Sequence, residues 1–380
     1  MNRPRVVVAG LGDTGVLTAM HLVRSAEVVG ISSKPGLVSG QELGLRLTRP
    51  DRWARDHRIP FRRFRKLDGV RTIHAVLRTV DLGARTVTVA DAGGVEAVEP
   101  FDVLVISTGV RNGFWRRPDL QTQPDVDAEL RAAHRRLAGA ASIAVIGGGA
   151  AAVGAAANLA ATWPDTRVDL YHPGDRALVR HHPRTWRRIS ERLERLGVGI
   201  HGGRRAVVPT GFDCDEITSG TVRWSTGQDP VDADAVLWAI GRVTPNSDWL
   251  PADIVDDAGF VRVTPEMRVP GHDGVYAIGD IAATDPLRSS ARNRADRLLA
   301  HNIRVDLADR PDRARRYRAP RRRWGSVLGV QDDGLEVFAP NGFAFRFPRW
   351  SVDSVLRPWI VDRGIYGGVR DDVEGETTPP

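Results

Sequence analysis

Two groups of closely spaced glycines hold the residues best placed to do chemistry. Gly10, Gly12 and Gly15 follow the β-branched run Val6-Val7-Val8 and open an apolar pattern of helical spacing at Val16, Leu17, Ala19, Met20 and Val23. Strand, Gly-x-Gly-x-x-Gly, helix is the order that brings backbone amides against a dinucleotide pyrophosphate. The first glycine makes the tight turn, the second admits the phosphates, and the third lets helix lie on strand. Unpaired N–H groups at the helix start then attract the anion. The pattern returns at Gly147, Gly149 and Ala152, between the strand-like Ser142-Ile143-Ala144-Val145-Ile146 and an alanine-rich helix reaching about Trp163. Residues 142–163 carry no charge, yet the glycine cluster divides them, so a membrane span is the weaker reading. Two fingerprints imply two dinucleotides.

The strand ends beyond the two fingerprints qualify that expectation. The strand after the first, Glu27 to Ile31, ends in Ser32-Ser33 where an acid usually binds a ribose. A serine hydroxyl does this without the charge. The strand after the second, Arg167 to Tyr171, ends at His172, with Arg176, Arg180, His181 and His182 close behind. A cationic strand end suits a 2′-phosphate, so the sequence favours NADPH over NADH.

The elements that must position these residues come in chain order. Gly36 to Gly44 is a turn-rich loop expected beside the first cofactor, with Gln41 and Glu42 as candidates for tuning it. Residues 51–66 are basic and aromatic and read as a solvated helix and loop. Residues 70–100 read as short strands with turns at Asp81-Leu82-Gly83 and Ala92-Gly93-Gly94. Phe101 to Ile106 is a buried strand ending near Thr108-Gly109, and a helix is expected from about Asp125. Ala233 to Ile240, ending at Gly241-Arg242, and Gly274 to Ile278, ending at Gly279-Asp280, repeat the theme. A helix from about Ser290 to Leu307 leads into eight arginines between Arg310 and Arg323. These read as a linker broken by Pro311 and Pro320, with electrostatic contact to a membrane the weaker alternative. Trp324 to Phe347 reads as a three-stranded antiparallel meander, with no long amphipathic helix beyond it, and residues 371–380 as an acidic tail.

Composition sets the bounds. The 380 residues, 42% hydrophobic and 27% charged, allow two or three domains around a sizeable core. The net charge of +7 comes almost wholly from arginine, since lysine occurs only at Lys34 and Lys66. Nothing resembles a nucleic-acid recognition module, and no leader precedes the first strand. Cys214 is the only cysteine, which excludes a CxxC redox pair and a thiolate metal cage; no metal is expected. These traits together suggest a cytoplasmic protein.

The ordered set GLGDTG, FDVLVISTG, VIGGGAAA, ADAVLWAIGRVTPN and GVYAIGD resembles the pyridine-nucleotide-dependent oxidoreductases with two dinucleotide-binding domains. Within them the chain is most similar to the apoptosis-inducing-factor-like and type II NADH dehydrogenase branch, which reduces quinones. The resemblance implies an α/β fold with two Rossmann-like domains, the second inserted in the first, plus a small C-terminal β segment. The implied bounds are 1–112 with 243–319 for FAD, 113–242 for NAD(P)H and 320–370 for the β segment. It implies an FAD site at Gly10, Gly12, Asp13, Thr14, Gly15, Ser32, Thr108, Gly109, Gly279 and Asp280. The NAD(P)H site would comprise Gly147, Gly149, Ala152, His172, Arg176, Gly241 and Arg242. The implied activity is hydride transfer from NAD(P)H to FAD, then to a quinone or other small acceptor. A flavin monooxygenase and a non-catalytic dinucleotide sensor are the alternatives. Relatives often carry a glutamate where this chain has Gly154, and their quinone-site glutamines have no counterpart around Ser289 to Arg294.

Overall fold

The β-branched runs fold into the buried strands that their composition requires. In the computed structural model, which describes residues 3–40, 42–111, 117–284, 287–288 and 294–371, two five-stranded sheets form the framework. The first runs Val275–Ala277, Val103–Ile106, Arg5–Ala9, Glu27–Ser32, Val70–His74, all parallel. Its two faces are covered differently. Helices Asp13–Leu22 and Ala295–Leu307 pack on one through Val16, Ala19, Leu299 and Ile303; an antiparallel sheet of Val76–Asp81, Thr86–Ala90 and Glu96–Pro100 covers the other with Val87 and Val89. Both faces being dry, the strands can be apolar throughout, and Val6, Val7 and Val8 are fully buried.

The chain leaves this sheet after Ile106 and builds a second: Gly199–His201, Arg167–Tyr171, Ser142–Ile146 and Val231–Trp238 parallel, with Thr218–Val222 antiparallel at the edge. Outgoing Val110-Arg111 and returning Thr244-Pro245 pair antiparallel, so the two crossings are tied together. The helix expected from Asp125 spans Gln123–Ala138, begun by a capping box between Thr122 and Asp125. The helix expected from Ser290 is described from Ala295.

Two expectations are corrected. Residues 51–66 are not a solvated face: Trp53 and Phe64 are fully buried and Phe61 nearly so. The helix Pro50–His57 turns Trp53 onto Leu45, Val126 and Leu130, and that apolar contact outweighs the surrounding arginines. The C-terminal meander is present, as Val330–Gln331, Gly334–Phe338 and Ala344–Phe347, but a helix succeeds it over Arg349–Ser351 and Val352–Ile365. Pro358 and a non-α winding hid that helix from a 3.6-residue pattern.

Candidate functional site

The three glycines of the first fingerprint do three different jobs. Gly10 has φ of +101°, and a Cβ there would lie 2.5 Å from the Ser107 carbonyl oxygen. A Cβ on Gly15 would lie 1.9 Å from the Gly10 carbonyl oxygen, so helix and strand could not close. A Cβ on Gly12, which caps the helix, would meet nothing within 4 Å. Two glycines are therefore demanded by the fold, whereas Gly12 faces space. Ser107 fixes the turn by donating from Oγ to the carbonyls of Gly10 (2.6 Å) and Ala9 (3.1 Å). Thr14, buried, abuts Gly279, whose φ is +84° and whose added Cβ would lie 2.7 Å from Thr14 Oγ1. Asp280 is the next residue. Gly12, Asp13, Thr14, Gly109, Gly279 and Asp280 thus gather beyond the carboxyl ends of three adjacent strands, where an open parallel sheet binds ligands.

Other members of the set have structural duties. Thr108 Oγ1 donates to the Asn246 carbonyl at 2.9 Å, and Asn246 Nδ2 returns a bond to the Thr108 carbonyl at 3.0 Å, locking the domain crossing. Ser32 Oγ accepts from the Lys34 amide at 3.1 Å. Lys34 was missed in the sequence, where only its rarity marks it. Its ammonium donates to Ser33 Oγ (3.3 Å) and the carbonyls of Arg117 (3.1 Å) and Asp119, and burial lowers its pKa to about 8. Gln41 lies outside the described residues. Glu42, at φ 56°, starts the helix Leu43–Thr48 with its carboxylate 3.7 Å from His57 Nε2.

The second fingerprint repeats the division. Gly147 has φ of +143°, and its Cβ would fall 2.2 Å from the Ala239 carbonyl oxygen. Gly149 and Gly241 face open space. Ala152, fully buried, stands at the third position, and its methyl would lie 3.2 Å from a Cβ on Gly147, a further reason that 147 is glycine. Arg242 turns away, donating to the Phe212 carbonyl at 3.0 Å and pairing with Asp213.

His172 does not supply the cation expected of it. Its ring is only 1% exposed, edge-on to Trp186, and burial pushes its pKa down, so it is a neutral packed histidine. Arg176 caps its own loop, donating to the carbonyls of Leu178 (3.0 Å) and Val179 (3.3 Å). A cation beside this strand end is Arg204, unnoticed in the sequence, whose guanidinium lies 6.0 Å above the Tyr171 ring. It comes just after the neighbouring strand, donates its amide to the His172 carbonyl at 3.0 Å, and lies 5.7 Å above Trp224.

Gly154 marks a junction of three elements. A Cβ there would lie 2.6 Å from the Val327 carbonyl oxygen, and one on Gly44 2.5 Å from the Gly154 carbonyl oxygen. Asn158, one turn on, donates to Gly154 (2.8 Å) and to Leu328 (2.9 Å). The C-terminal segment therefore occupies the space that a glutamate at 154 would need.

Residues 4–302 match the family model of the pyridine nucleotide-disulphide oxidoreductases. The chain belongs to that family. Its members are FAD-dependent NAD(P)H oxidoreductases, and the open cradles at Gly12 and Gly149 fit the two dinucleotides. Among curated relatives, Fe-regulated protein 8 of Mycosarcoma maydis is 30% identical over 156 residues, 40% of this chain and 37% of that one. Demethylphylloquinone reductase NdbB of Synechocystis is 22% identical over 388 residues, covering 92% and 93%. The sulfide:quinone oxidoreductase of Aquifex aeolicus shares the fold, with a TM-score of 0.71 at 16% identity over 96% of this chain and 92% of that one. Against the first of these relatives the chain spans well under half its length.

Proposed function

We propose that this oxidoreductase takes hydride from NAD(P)H onto FAD and passes the electrons directly to a small oxidant of the quinone class. The carrying observation is the pair of cradles, at Gly12 and Gly149, that leave room for backbone contact while their flanking glycines are closed by packing. When bound, the two cofactors supply the redox chemistry, by hydride transfer between nicotinamide and flavin. The chain's own part is to hold each pyrophosphate on a helix start, to fix the turns through Ser107 and Ala239, and to set the distance between the units through the Thr108–Asn246 clasp. Cys214, the single cysteine, is buried and its pKa is raised by burial, so a thiol relay does not intervene. A quinone-reductase name among the full-length relatives supports the acceptor class.

Coenzyme choice rests on Arg204 rather than His172 in this reading. The test is anaerobic titration of the purified flavoprotein with NADPH and with NADH, and then addition of a soluble quinone. Bleaching of the flavin band and its return on adding quinone are expected. A colourless protein, or a bleached flavin reoxidised only by oxygen with hydroxylation of a substrate, would overturn the proposal.

A further inference from the structure

Arginines from two distant stretches of the chain meet around one cavity. Residues 48–52, the turn between the helices Leu43–Thr48 and Pro50–His57, form one wall. Arg131, His134 and Arg135, on the helix Gln123–Ala138, form the other, and spacings of three and four put them on one helix face. The space between is about 420 Å³, within the range of small-molecule sites. The walls are fixed to each other. His134 Nδ1 donates to the Leu47 carbonyl at 2.8 Å, and its ring lies 5.5 Å from that of Trp163. Trp53, in the first turn of its helix, packs on Val126 and Leu130 of the facing helix. The cavity is thus built into the join between the first unit and the helix that leads into the second sheet.

Its charge is largely unmet. Four arginines line it against one carboxylate, that of Asp51, which Arg131 takes at 3.0 Å. Arg49 reaches Asp332 only at 3.8 Å, and among the described residues neither Arg52 nor Arg135 has an acid within 4 Å. Arg52 Nε is buried with no hydrogen-bond partner. Burial and the neighbouring Arg349 and Arg49 push the Arg52 pKa down, against the opposing pull of Asp353 and Asp56. A guanidinium desolvated among like charges gains from any anion that reaches it. We propose that this cavity binds a compact polyphosphate, free or as the phosphate end of a nucleotide, apart from both dinucleotide cradles. Arginine forks match phosphate oxygens two at a time, and phosphates present oxygens in several directions, so groups from both walls can share one ligand. Three of the four arginines lack a close carboxylate, which suits a ligand of several negative charges better than a monoanion. Neither Gly12 nor Gly149 lines the cavity. The bound anion would clamp residues 48–52 to the helix that leads into the strand Ser142–Ile146, a link between the two units that does not depend on the electron acceptor.

The experiment is calorimetric titration of the FAD-loaded full-length protein with sodium tripolyphosphate at ~0.15 M salt. It needs neither coenzyme nor acceptor, so it stands apart from the proposed reaction. Saturable binding is expected. Arg131→Gln with Arg135→Gln, at side chains exposed on their helix, should weaken it about tenfold or more for each guanidinium lost. Thermal unfolding of the ligand-free protein and its affinity for NADPH should stay close to wild type in that variant. Asp51→Asn, which frees Arg131, should tighten binding about two- to fivefold. ADP is titrated in parallel: a loss with ADP as well admits a nucleotide, and a loss with tripolyphosphate alone assigns the cavity to the free anion. Three outcomes would overturn the proposal. One is no saturable binding at ~0.15 M salt. Another is binding that the double variant keeps, which would put the polyphosphate in a dinucleotide cradle. The third is citrate binding more tightly than tripolyphosphate, which would assign the cavity to carboxylates.

Discussion

Replacing Gly12 by valine should empty the first dinucleotide site and leave the fold almost untouched. Gly12 has an ordinary backbone, φ −76° and ψ −168°, and the new Cβ meets nothing within 4 Å. The expected stability cost is that of a poor helix cap, about 1 kcal/mol. Gly15→Ala is the contrast. Its Cβ would sit 1.9 Å from the Gly10 carbonyl oxygen, which only a backbone shift relieves, at about 3 kcal/mol or more. A ligand at about a hundredfold over its dissociation constant adds about 2.7 kcal/mol to unfolding, so the apoproteins must be compared first. The assay is thermal unfolding of each apoprotein with and without added FAD, together with flavin absorbance after purification. Gly12→Val should unfold close to the wild-type apoprotein and show no FAD-induced rise. Wild-type FAD content in Gly12→Val, or instability equal to that of Gly15→Ala, would show that the open space at Gly12 is not the phosphate cradle.

Arg204→Ala should lower the NADPH preference by about 1.5–3 kcal/mol, read as the ratio of kcat/KM for NADPH and NADH; an unchanged ratio would move the 2′-phosphate elsewhere. Gly154→Glu, which restores the acid common in relatives, should destabilise the protein by about 2–3 kcal/mol, because its Cβ lands 2.6 Å from the Val327 carbonyl oxygen. Unchanged unfolding would mean the C-terminal segment is easily displaced. Lys34 makes a pH prediction. Its folded pKa of about 8 lies below the 10.5 of the free side chain, so between those values the unfolded chain binds more protons and stability gains with rising pH. That gain, measured as wild type minus Lys34→Met to cancel other groups, should appear between about pH 8 and 10, the interval bounded by the two pKa values. A flat difference would show that the ammonium is solvated.

Much of the cofactor framework is legible in the sequence because glycine spacing and strand composition are local properties. Val6 to Val8 must be buried on both faces, and Gly10 and Gly147 must adopt positive φ, whatever else the chain does. The two sheets, the two fingerprints and the meander between Val330 and Phe347 arise from such signals. What the tertiary structure decided is how each side chain is spent. His172 has the residue type for a 2′-phosphate contact, but packing against Trp186 makes it neutral, and Arg204, far along the chain, is brought in by the neighbouring strand. Trp53 lies in an arginine-rich stretch, yet Val126 and Leu130 from a distant helix bury it. Gly154 looks like a lost acid until Val327 is seen to occupy its place. The C-terminal helix shows the limit most clearly. Its exposed apolar residues fit neither strand nor α-helix spacing, and only the structure shows that the chain there is a helix wound i→i+5 through Pro358.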